Sequence, residues 1–585
     1  MSAVGSQLNP SSKARPAEFG DHGGRALETS RDRLLAAGLV FVFAFFIICL
    51  RLVDLAALNG GTEGRTHLAR FEQAGGRGDV VDRNGVLVAT SLRTASLYAD
   101  PHEIIDPRAA AQGLAGVFPD LDKRELLDRL SRQGRFVWIR RNLTPEEQYA
   151  VNKLGIPGLA FQSEYSRVYP LGRSAAHVLG LTDVDENGVA GLERSFGPVL
   201  DHGETVRLSL DMRVQHLLRE ELARAKDTYS AIGAAGVVLD VNSGEVLSLV
   251  SLPDYNPNAP RELSADAQFN RATMGVYELG SVFKLFTAAM ALDTGVAGLG
   301  DGYDATEPLF VAHHRISDYH AKKRWLSIPE IIVYSSNIGA ALMAEDVGRD
   351  AQRHYLKRLG LLDAADIDLP EVGSPLLPHP WRDINTMTVG FGHGIAVSPL
   401  QLASAVAAVV NGGVYRSPSI LKRHIGPAAT ERHVFSKRTS RQIRGLMRLV
   451  VQHGTGVRAD VPGYQVGGKT GTAEKLVDGR YQRDRRVSSF VGAFPMDKPQ
   501  YVVLAVLDEP KGTKETYNYA TGGWVAAPAV GRVIERMAPL LGISPTHEAP
   551  DVQEAALTEK EKDQRLARAI QMMIANDKDW RIAAN

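Results

Sequence analysis

A serine and a lysine stand three positions apart at the start of an apolar segment, YELGSVFKLFTAAM, where one could act as a nucleophile and the other as its base. Residues three positions apart in a helix share a face, so Ser281 and Lys284 would point in the same direction. Lys284 would be partly desolvated in the first turn, where the positive end of the helix dipole also disfavours its charge. Both effects favour a neutral amine that can accept the proton of the Ser281 hydroxyl. This fragment alone is equally compatible with a capping serine beside an unrelated lysine.

The Ser-x-x-Lys spacing is weak evidence by itself because it occurs a second time, at Ser419 and Lys422. This second pair follows the turn residues NGG and a proline, in a strand-like segment with no helix behind it. We therefore predict that Ser419 and Lys422 lie at the surface and carry no chemistry.

Two further fragments complete a set of groups suited to acyl transfer. Ser335-Ser336-Asn337 is the one Ser-x-Asn in the sequence, and it begins a second apolar helical segment. The one Lys-Thr-Gly, from Lys469 to Gly471, follows a Gly-Gly pair at the start of a predicted strand. The order Ser-x-x-Lys, Ser-x-Asn, Lys-Thr-Gly is typical of penicillin-binding proteins and class A β-lactamases, with Ser336 at the position of an aspartate.

These fragments and several others make the chain resemble the class B penicillin-binding proteins, the membrane-anchored peptidoglycan D,D-transpeptidases. The segments RGDVVDRNGVLVA, RVYP and GVAGLE, which begin at Arg77, Arg167 and Gly188, resemble the family's pedestal motifs. GFGHGIAVSPLQLASAVAAVVNGG and KTGTAEK resemble its transpeptidase core. The resemblance covers about residues 34–543 and is closest to the cell-division (septal) subfamily. It departs from the family at Leu279, where proline often precedes the Gly-Ser pair.

The resemblance implies a two-step acyl transfer on stem peptides that end in D-Ala-D-Ala, with β-lactams as covalent inhibitors. It implies no metal and no organic cofactor. The catalytic residues it implies are Ser281 as the nucleophile, Lys284 as the general base, Ser335 as a proton relay and Asn337 for orientation.

The same resemblance assigns the substrate contacts to the Lys-Thr-Gly strand. Lys469 would supply a cation for the terminal carboxylate, and the Thr470 and Thr472 hydroxyls would bond to it. Gly471 has no side chain, so substrate could lie along this strand as an added β-strand. The oxyanion hole would be formed by the backbone N–H groups of Ser281 and Thr472.

An uncharged apolar run of 17 residues, from Leu34 to Leu50, is long enough to cross a bilayer. It lacks the short apolar part and the small-residue cleavage site of a signal peptide. We therefore predict an uncleaved transmembrane anchor over residues 34–53, with a buried soluble helix as the alternative. The slight excess of basic residues before the run favours a cytoplasmic, disordered tail over residues 1–33 and export of the chain after the anchor.

The resemblance also implies a location and partners. It implies a single-pass protein of the bacterial inner (cytoplasmic) membrane at the division site, with its catalytic domain in the periplasm. A membrane glycan polymerase and other division proteins would bind through the anchor and the pedestal. The balance of 67 basic and 67 acidic residues indicates no nucleic-acid partner, and the single cysteine, Cys49, excludes an internal disulfide.

The fold class expected for the exported part is α+β. We expect an elongated, mostly-β, non-catalytic pedestal of the dimerisation type over residues 54–225, with a type I′ turn at Asn84-Gly85. Residues 226–543 would form the penicillin-binding transpeptidase domain, a central antiparallel sheet packed by helices. Residues 544–585 form a polar C-terminal tail that could hold a lone amphipathic helix with no readable function.

Other functions compete with septal transpeptidation. A transpeptidase of lateral-wall elongation would have the same active-site chemistry, and it is the main alternative. More distant alternatives are a non-catalytic division scaffold and a β-lactam-hydrolysing relative, although an anchor and a pedestal are hard to explain for a freely diffusing hydrolase.

Overall fold

The computed structural model describes residues 42, 43, 45, 46, 48, 76–311, 314–423, 431–477, 479–546 and 558–584. It separates into two units, residues 1–74 and 75–585. In the first unit the five described residues are helical and exposed, and the rest of the predicted anchor lies outside the described residues. Among the helices that are described, none is long and apolar enough to cross a membrane.

The pedestal segment contains a five-stranded sheet. The strands in chain order are β1 (Val80–Val81), β2 (Leu87–Ala99), β3 (Val137–Leu143), β4 (Leu159–Val168), β5 (Leu181–Thr182), β6 (Gly188–Ala190) and β7 (Val206–Arg207). β2 is the central strand, antiparallel to β1, β3 and β4, and β1 pairs in parallel with β7. β5 and β6 form a separate short hairpin.

Helices cover this sheet, so the prediction of a mostly-β pedestal is wrong. They are α1 (Pro107–Val117), α2 (Lys123–Leu130), α3 (Pro145–Leu154), α4 (Ala176–Leu179), α5 (Gly191–Ser195) and α6 (Gly197–Asp201). α1, α2 and α3 follow Asp106, Asp122 and Thr144, whose side chains accept hydrogen bonds from first-turn N–H groups. The apolar faces of α1 and α2 then bury Leu114, Leu126 and their neighbours against the sheet.

The predicted hairpin at Asn84-Gly85 is present, but its turn is not type I′. A type I′ turn would need positive φ at both residues, and only Gly85 has it, with φ of 89°. The Gly85 N–H bonds to the carbonyl of Asp82, so the turn comprises Asp82 to Gly85. The Asp82 carboxylate accepts the N–H groups of Asn84 and Val86 and thereby stabilises the turn.

Three segments from distant parts of the pedestal sequence meet in a buried ion cluster. The Glu193 carboxylate is fully buried and lies 2.8 Å from Arg77 Nε and 2.7 Å from Arg167 Nε. Arg167 Nη1 donates to the carbonyl of Gly78 at 2.7 Å, and Arg77 also pairs with Asp201. Glu193 is therefore a structural residue of the pedestal.

The transpeptidase segment contains one antiparallel five-stranded sheet, ordered β16-β17-β18-β8-β9, which confirms the α+β prediction. Its strands are β8 (Gly233–Asp240), β9 (Val246–Leu252), β16 (Gly467–Val477), β17 (Arg480–Phe494) and β18 (Tyr501–Asp508). Short two-stranded sheets are formed by β10 (Gly302–Asp304), β11 (Leu309–Val311), β12 (His314–Ile316), β13 (Trp325–Ser327), β14 (Val414–Arg416) and β15 (Glu431–His433).

Helices pack on both faces of the large sheet, because both faces are apolar. Successive residues of a strand point to opposite faces, so each strand contributes to both cores. The helices are α7 (Met212–Thr228), α8 (Ala265–Gln268), α9 (Phe283–Thr294), α10 (Ile328–Tyr334), α11 (Asn337–Val347), α12 (Arg349–Arg358), α13 (Asp383–Val389), α14 (Pro399–Val410), α15 (Lys437–His453), α16 (Gly522–Val525) and α17 (Ala527–Leu540). α7 and α17 share one core with Val238 and Val503, whereas α9, α14 and α15 share the opposite core with Val237 and Leu504. α7 spans the predicted domain limit at residue 225.

The C-terminal tail contains a long helix, α18 (Glu559–Ala584), and this helix is not isolated. Leu566 and Ile570, one turn apart, are buried in the main apolar core beside α15. Met573 packs against the same core, whereas Met572 is 62% exposed. The prediction of a lone tail helix is therefore wrong.

Candidate active site

Ser281 lies in a short 3₁₀ turn, Gly280–Val282, that leads directly into α9. Gly280 has a φ of 55°, and a Cβ on it would lie 2.7 Å from the carbonyl oxygen of Thr472. A Cβ on Gly471 would likewise lie 2.3 Å from the carbonyl oxygen of Leu279. The Ser281 turn therefore packs backbone against backbone on the Lys-Thr-Gly strand, and both glycines are required for this approach.

Lys284 follows one turn later and connects the Ser281 turn to the Ser-x-Asn segment. Its Nζ lies 3.1 Å from Ser335 Oγ, 2.5 Å from the Ser335 carbonyl oxygen and 2.7 Å from Asn337 Oδ1. The side chain is fully buried in the first turn of the apolar helix α9, more completely than the sequence predicted.

Lys469 reaches the same serine from the sheet. Its Nζ lies 3.0 Å from Ser335 Oγ, and its side chain is also fully buried. Ser335 Oγ therefore lies between two amine nitrogens from different elements, at 3.1 Å and 3.0 Å. This geometry is suited to moving a proton through the Ser335 hydroxyl, which can donate and accept at once.

Burial changes the acid–base behaviour of both lysines. Desolvation, with the nearby charge of Lys469, holds the pKa of Lys284 well below its ordinary value of 10.5. Desolvation alone lowers the pKa of Lys469 to about 7. A neutral Lys284 is the form that can accept a proton.

The Ser-x-Asn segment is held by Asp318, a residue that sequence analysis missed. The Asp318 carboxylate accepts hydrogen bonds from Ser336 Oγ at 2.7 Å, the Asn337 N–H at 2.5 Å and the Ile338 N–H at 3.0 Å. It thereby caps the start of α11, where a negative charge is favourable. No spacing signal could have identified it, because Asp318 lies in a loop before β13 and meets α11 only through folding.

Ser335 itself adopts an unusual backbone conformation. It ends α10 with a φ of 60°, in the left-handed region that non-glycine residues seldom occupy. The next residue, Ser336, is the N-cap of α11, and its Oγ accepts the N–H of Gly339 at 3.0 Å. The break between the two helices places Ser335 Oγ between the two lysines.

The hydroxyls of the Lys-Thr-Gly strand already have partners in the protein. Thr470 Oγ1 lies 2.7 Å from Thr455 Oγ1, and Thr472 Oγ1 accepts the N–H of Gly522 at 3.0 Å. Thr455 was not identified from the sequence, since it follows α15 in a segment without a motif. A Cβ on Gly522 would lie 2.5 Å from the carbonyl oxygen of Gly471, so α16 packs directly on this strand.

The second Ser-x-x-Lys lies away from this cluster. Ser419 is buried and donates to Asp368 Oδ2 at 2.8 Å, so the prediction of a surface position is wrong for this residue. Lys422 is exposed, as predicted, and donates to the carbonyl of Arg83 in the pedestal at 3.1 Å.

Two models of known protein families match the chain. A family model described as "Penicillin binding protein transpeptidase domain" matches residues 234–535. A second, "Penicillin-binding Protein dimerisation domain", matches residues 72–196. The chain is a class B penicillin-binding protein of the FtsI type.

Relatives of this class B penicillin-binding protein include "Probable peptidoglycan D,D-transpeptidase FtsI" of Caulobacter vibrioides, which is 41% identical over 86% of the chain and 88% of the relative. "Peptidoglycan D,D-transpeptidase FtsI" of Escherichia coli K12 is 31% identical over 83% of the chain and 87% of the relative. The fold is similar to a crystal structure of penicillin-binding protein 3 from Mycobacterium tuberculosis in complex with aztreonam. That match has a TM-score of 0.65 and 24% identity, and covers 81% of this chain and 98% of the other.

Proposed function

We propose that this protein is a peptidoglycan D,D-transpeptidase that cross-links stem peptides during septal wall synthesis, and that β-lactams acylate it. The relatives named FtsI favour the septal role over lateral-wall elongation. The observation that carries the chemistry is the position of Ser335 Oγ within hydrogen-bonding distance of both Lys469 and Lys284. Lys284 lies in the first turn of the helix that directly follows the Ser281 turn.

In the proposed acylation step, Ser281 Oγ attacks the carbonyl carbon between the two terminal D-alanines. Neutral Lys284 accepts the hydroxyl proton as the C–O bond forms. The C–N bond then breaks, and the leaving D-alanine amine takes a proton that passes from Lys284 through the Ser335 hydroxyl. Asn337 contributes by holding Lys284, whose Nζ donates to Asn337 Oδ1 at 2.7 Å.

The second step transfers the acyl group to an amine of a neighbouring stem peptide. That amine attacks the ester carbonyl and loses a proton to the base, and the bond to Ser281 Oγ breaks. The proton returns to Ser281 Oγ, so the enzyme is restored and one peptide bond replaces another.

The Lys-Thr-Gly strand is the proposed site for the substrate backbone and its carboxylate. Lys469 in its protonated form would attract the terminal carboxylate, and the hydroxyls of Thr470 and Thr472 would donate hydrogen bonds to it. Gly471 leaves room for an extended peptide along β16. The oxyanion would bond to the backbone N–H groups of Ser281 and Thr472, whose segments are in contact.

We further propose the domain limits, location and partners that the resemblance implied. Residues 54–225 would serve as the pedestal and residues 226–543 as the transpeptidase domain, with the apolar run of residues 34–53 as a single inner-membrane anchor. The catalytic domain would lie in the periplasm at the division site. A glycan polymerase would bind through the anchor and the pedestal.

Replacing the nucleophile tests the function directly. We expect Ser281→Ala to abolish covalent labelling by a fluorescent penicillin, because no acyl-enzyme can form without the hydroxyl. In cells depleted of the native protein, this variant should fail to restore division and leave long filaments. Gel fluorescence and microscopy provide the two readouts.

The matched control for this test is Ser419→Ala, which removes the serine of the other Ser-x-x-Lys. It should retain full labelling and support division. Covalent labelling of the Ser281→Ala protein would show that Ser281 is not the nucleophile. Rounded cells instead of filaments would favour the elongation role. A rapidly hydrolysed acyl-enzyme in the wild type would indicate a β-lactam hydrolase instead.

A further inference from the structure

The C-terminal helix α18 docks on the transpeptidase core through both apolar and charged contacts. Leu566 and Ile570 are buried in the core, and Asp577 Oδ2 pairs with Arg438 Nη2 of α15 at 2.7 Å. This helix lies beyond residues 234–535, the part matched by the transpeptidase family model. Its attachment brings one carboxylate, that of Asp563, close to the Ser-x-Asn segment.

Asp563 connects α18 to two other segments of the chain. Its Oδ1 accepts a hydrogen bond from the Tyr334 hydroxyl at 2.7 Å and lies 3.4 Å from Lys322 Nζ. Lys322 Nζ also lies 4.2 Å from the centroid of the Tyr334 ring, a cation–π contact. The three side chains therefore form a closed set in which each contacts the other two.

The two segments that Asp563 contacts both carry residues of the proposed active site. Tyr334 is the last residue of α10, and the next residue is Ser335 in its left-handed conformation. Lys322 belongs to the loop that carries Asp318, the residue that caps α11 at Asn337. A strained backbone position such as Ser335 persists only when surrounding contacts hold it in place.

We propose that Asp563 is a positioning residue for acyl transfer, acting through Tyr334 and Lys322 to hold Ser335 between the two lysines. This inference rests on the acyl-transfer function proposed above. Asp563 is 47% exposed, and exposed ion pairs contribute little to stability, so its effect should fall on geometry more than on folding. A displacement of a reacting group by about 1 Å can slow a chemical step by about 10²-fold.

The test measures the acylation of the full-length, detergent-solubilised protein by a fluorescent penicillin in a stopped-flow instrument. It separates the dissociation constant of the non-covalent complex from the first-order acylation rate constant. We expect Asp563→Ala to lower the rate constant about tenfold and to leave the dissociation constant unchanged. Tyr334→Phe should slow acylation by the same factor or less, because it removes the Tyr334 hydrogen bond and leaves the Lys322 contact. The double variant should be no slower than Asp563→Ala, which already breaks the Tyr334 hydrogen bond.

The matched control is Asp577→Ala, which breaks another ion pair between the same helix and the core, on the side of α15. Alanine favours helix at both positions, so α18 should still form in each variant. If Asp577→Ala acylates at the wild-type rate, the effect of Asp563 is specific. An unchanged rate for Asp563→Ala, or equal losses in the two variants, would overturn the positioning role. Failure of the wild type to acylate would instead refute the acyl-transfer function itself.

Discussion

Two buried lysines share one serine hydroxyl at the active site, and their charges cannot be independent. Lys284 and Lys469 each lie about 3 Å from Ser335 Oγ, in an environment without solvent exposure. Two ammonium groups at such short range in a dry site repel each other strongly. The low pKa of Lys284 and the pKa of Lys469 of about 7 follow from burial first, and for Lys284 from this repulsion as well.

This arrangement predicts a pH dependence of substrate binding. Because the pKa of Lys469 is about 7, the side chain is mostly charged at acidic pH and mostly neutral at alkaline pH. The carboxylate of a penicillin stays ionised throughout, so its attraction to Lys469 should be lost as the pH rises. We expect the non-covalent dissociation constant to increase about tenfold between about pH 6 and pH 8. Stopped-flow acylation over that range measures it.

The comparison for this pH dependence is Lys469→Arg, whose guanidinium stays charged over the whole range. If it still binds, its dissociation constant should be flat with pH. A flat profile for the wild type would mean that Lys469 does not titrate in this range or does not face the carboxylate.

At the level of elements, the site depends on the contact between the Ser281 turn and strand β16. Gly280 and Gly471 face backbone atoms of the opposite segment at distances that no side chain could occupy. Position 279 has leucine where the family often has proline, and leucine is compatible with this contact. Leu279 is buried, and its carbonyl oxygen is the atom that faces Gly471.

A methyl group at Gly471 should separate the two elements. A Cβ there would lie 2.3 Å from both the Leu279 carbonyl oxygen and Ser489 Oγ, so the turn or the strand must move. We expect Gly471→Ala to reduce the second-order acylation rate constant by about 10²-fold. Labelling by fluorescent penicillin over time measures this rate.

Gly300→Ala is the matched control because Gly300 is exposed and its added Cβ would meet nothing within 4 Å. It should acylate at the wild-type rate. Normal acylation of Gly471→Ala would show that the close approach of the two backbones is not needed.

At the scale of the whole molecule, hydrogen bonds connect the pedestal segment to the transpeptidase segment. The Gly191 N–H donates to Glu371 Oε1 at 3.1 Å, and Ser195 Oγ donates to the Asp368 carbonyl at 2.8 Å. These contacts come from α5, the short helix that also carries Glu193. The buried ion cluster of the pedestal therefore supports the residues that contact the catalytic part.

Neutralising Glu193 should destabilise the pedestal. Glu193→Gln leaves the buried guanidinium groups of Arg77 and Arg167 without their shared counter-charge, and breaking such a buried pair costs about 3–5 kcal/mol. We expect a matching decrease in the free energy of unfolding of the pedestal transition, measured by denaturant titration.

Asp201→Asn provides the comparison on the same arginine. Asp201 pairs with Arg77 but is 61% exposed, so its loss should cost less than about 1 kcal/mol. Equal losses in the two variants would show that burial of Glu193 does not matter.

Local patterns in the sequence were sufficient for much of the fold and for the choice of the proposed reacting groups. The β8–β9 hairpin and the strands β16, β17 and β18 follow from runs of β-branched and apolar residues bounded by turn residues. Ser281, Lys284, Ser335, Asn337 and Lys469 were chosen from three short motifs. Most helices of the pedestal were missed, although the residues that cap α1 and α3 are readable from the sequence.

The tertiary structure decided how those groups are tuned and held. Complete burial of both lysines, the left-handed Ser335, the cap supplied by Asp318 and the docking of α18 through Asp563 all join residues from separate segments. Periodicity and motif spacing report only on neighbours along the chain. Desolvation and capping across segments depend instead on which surfaces meet when the chain packs, so the sequence alone carried no signal for them.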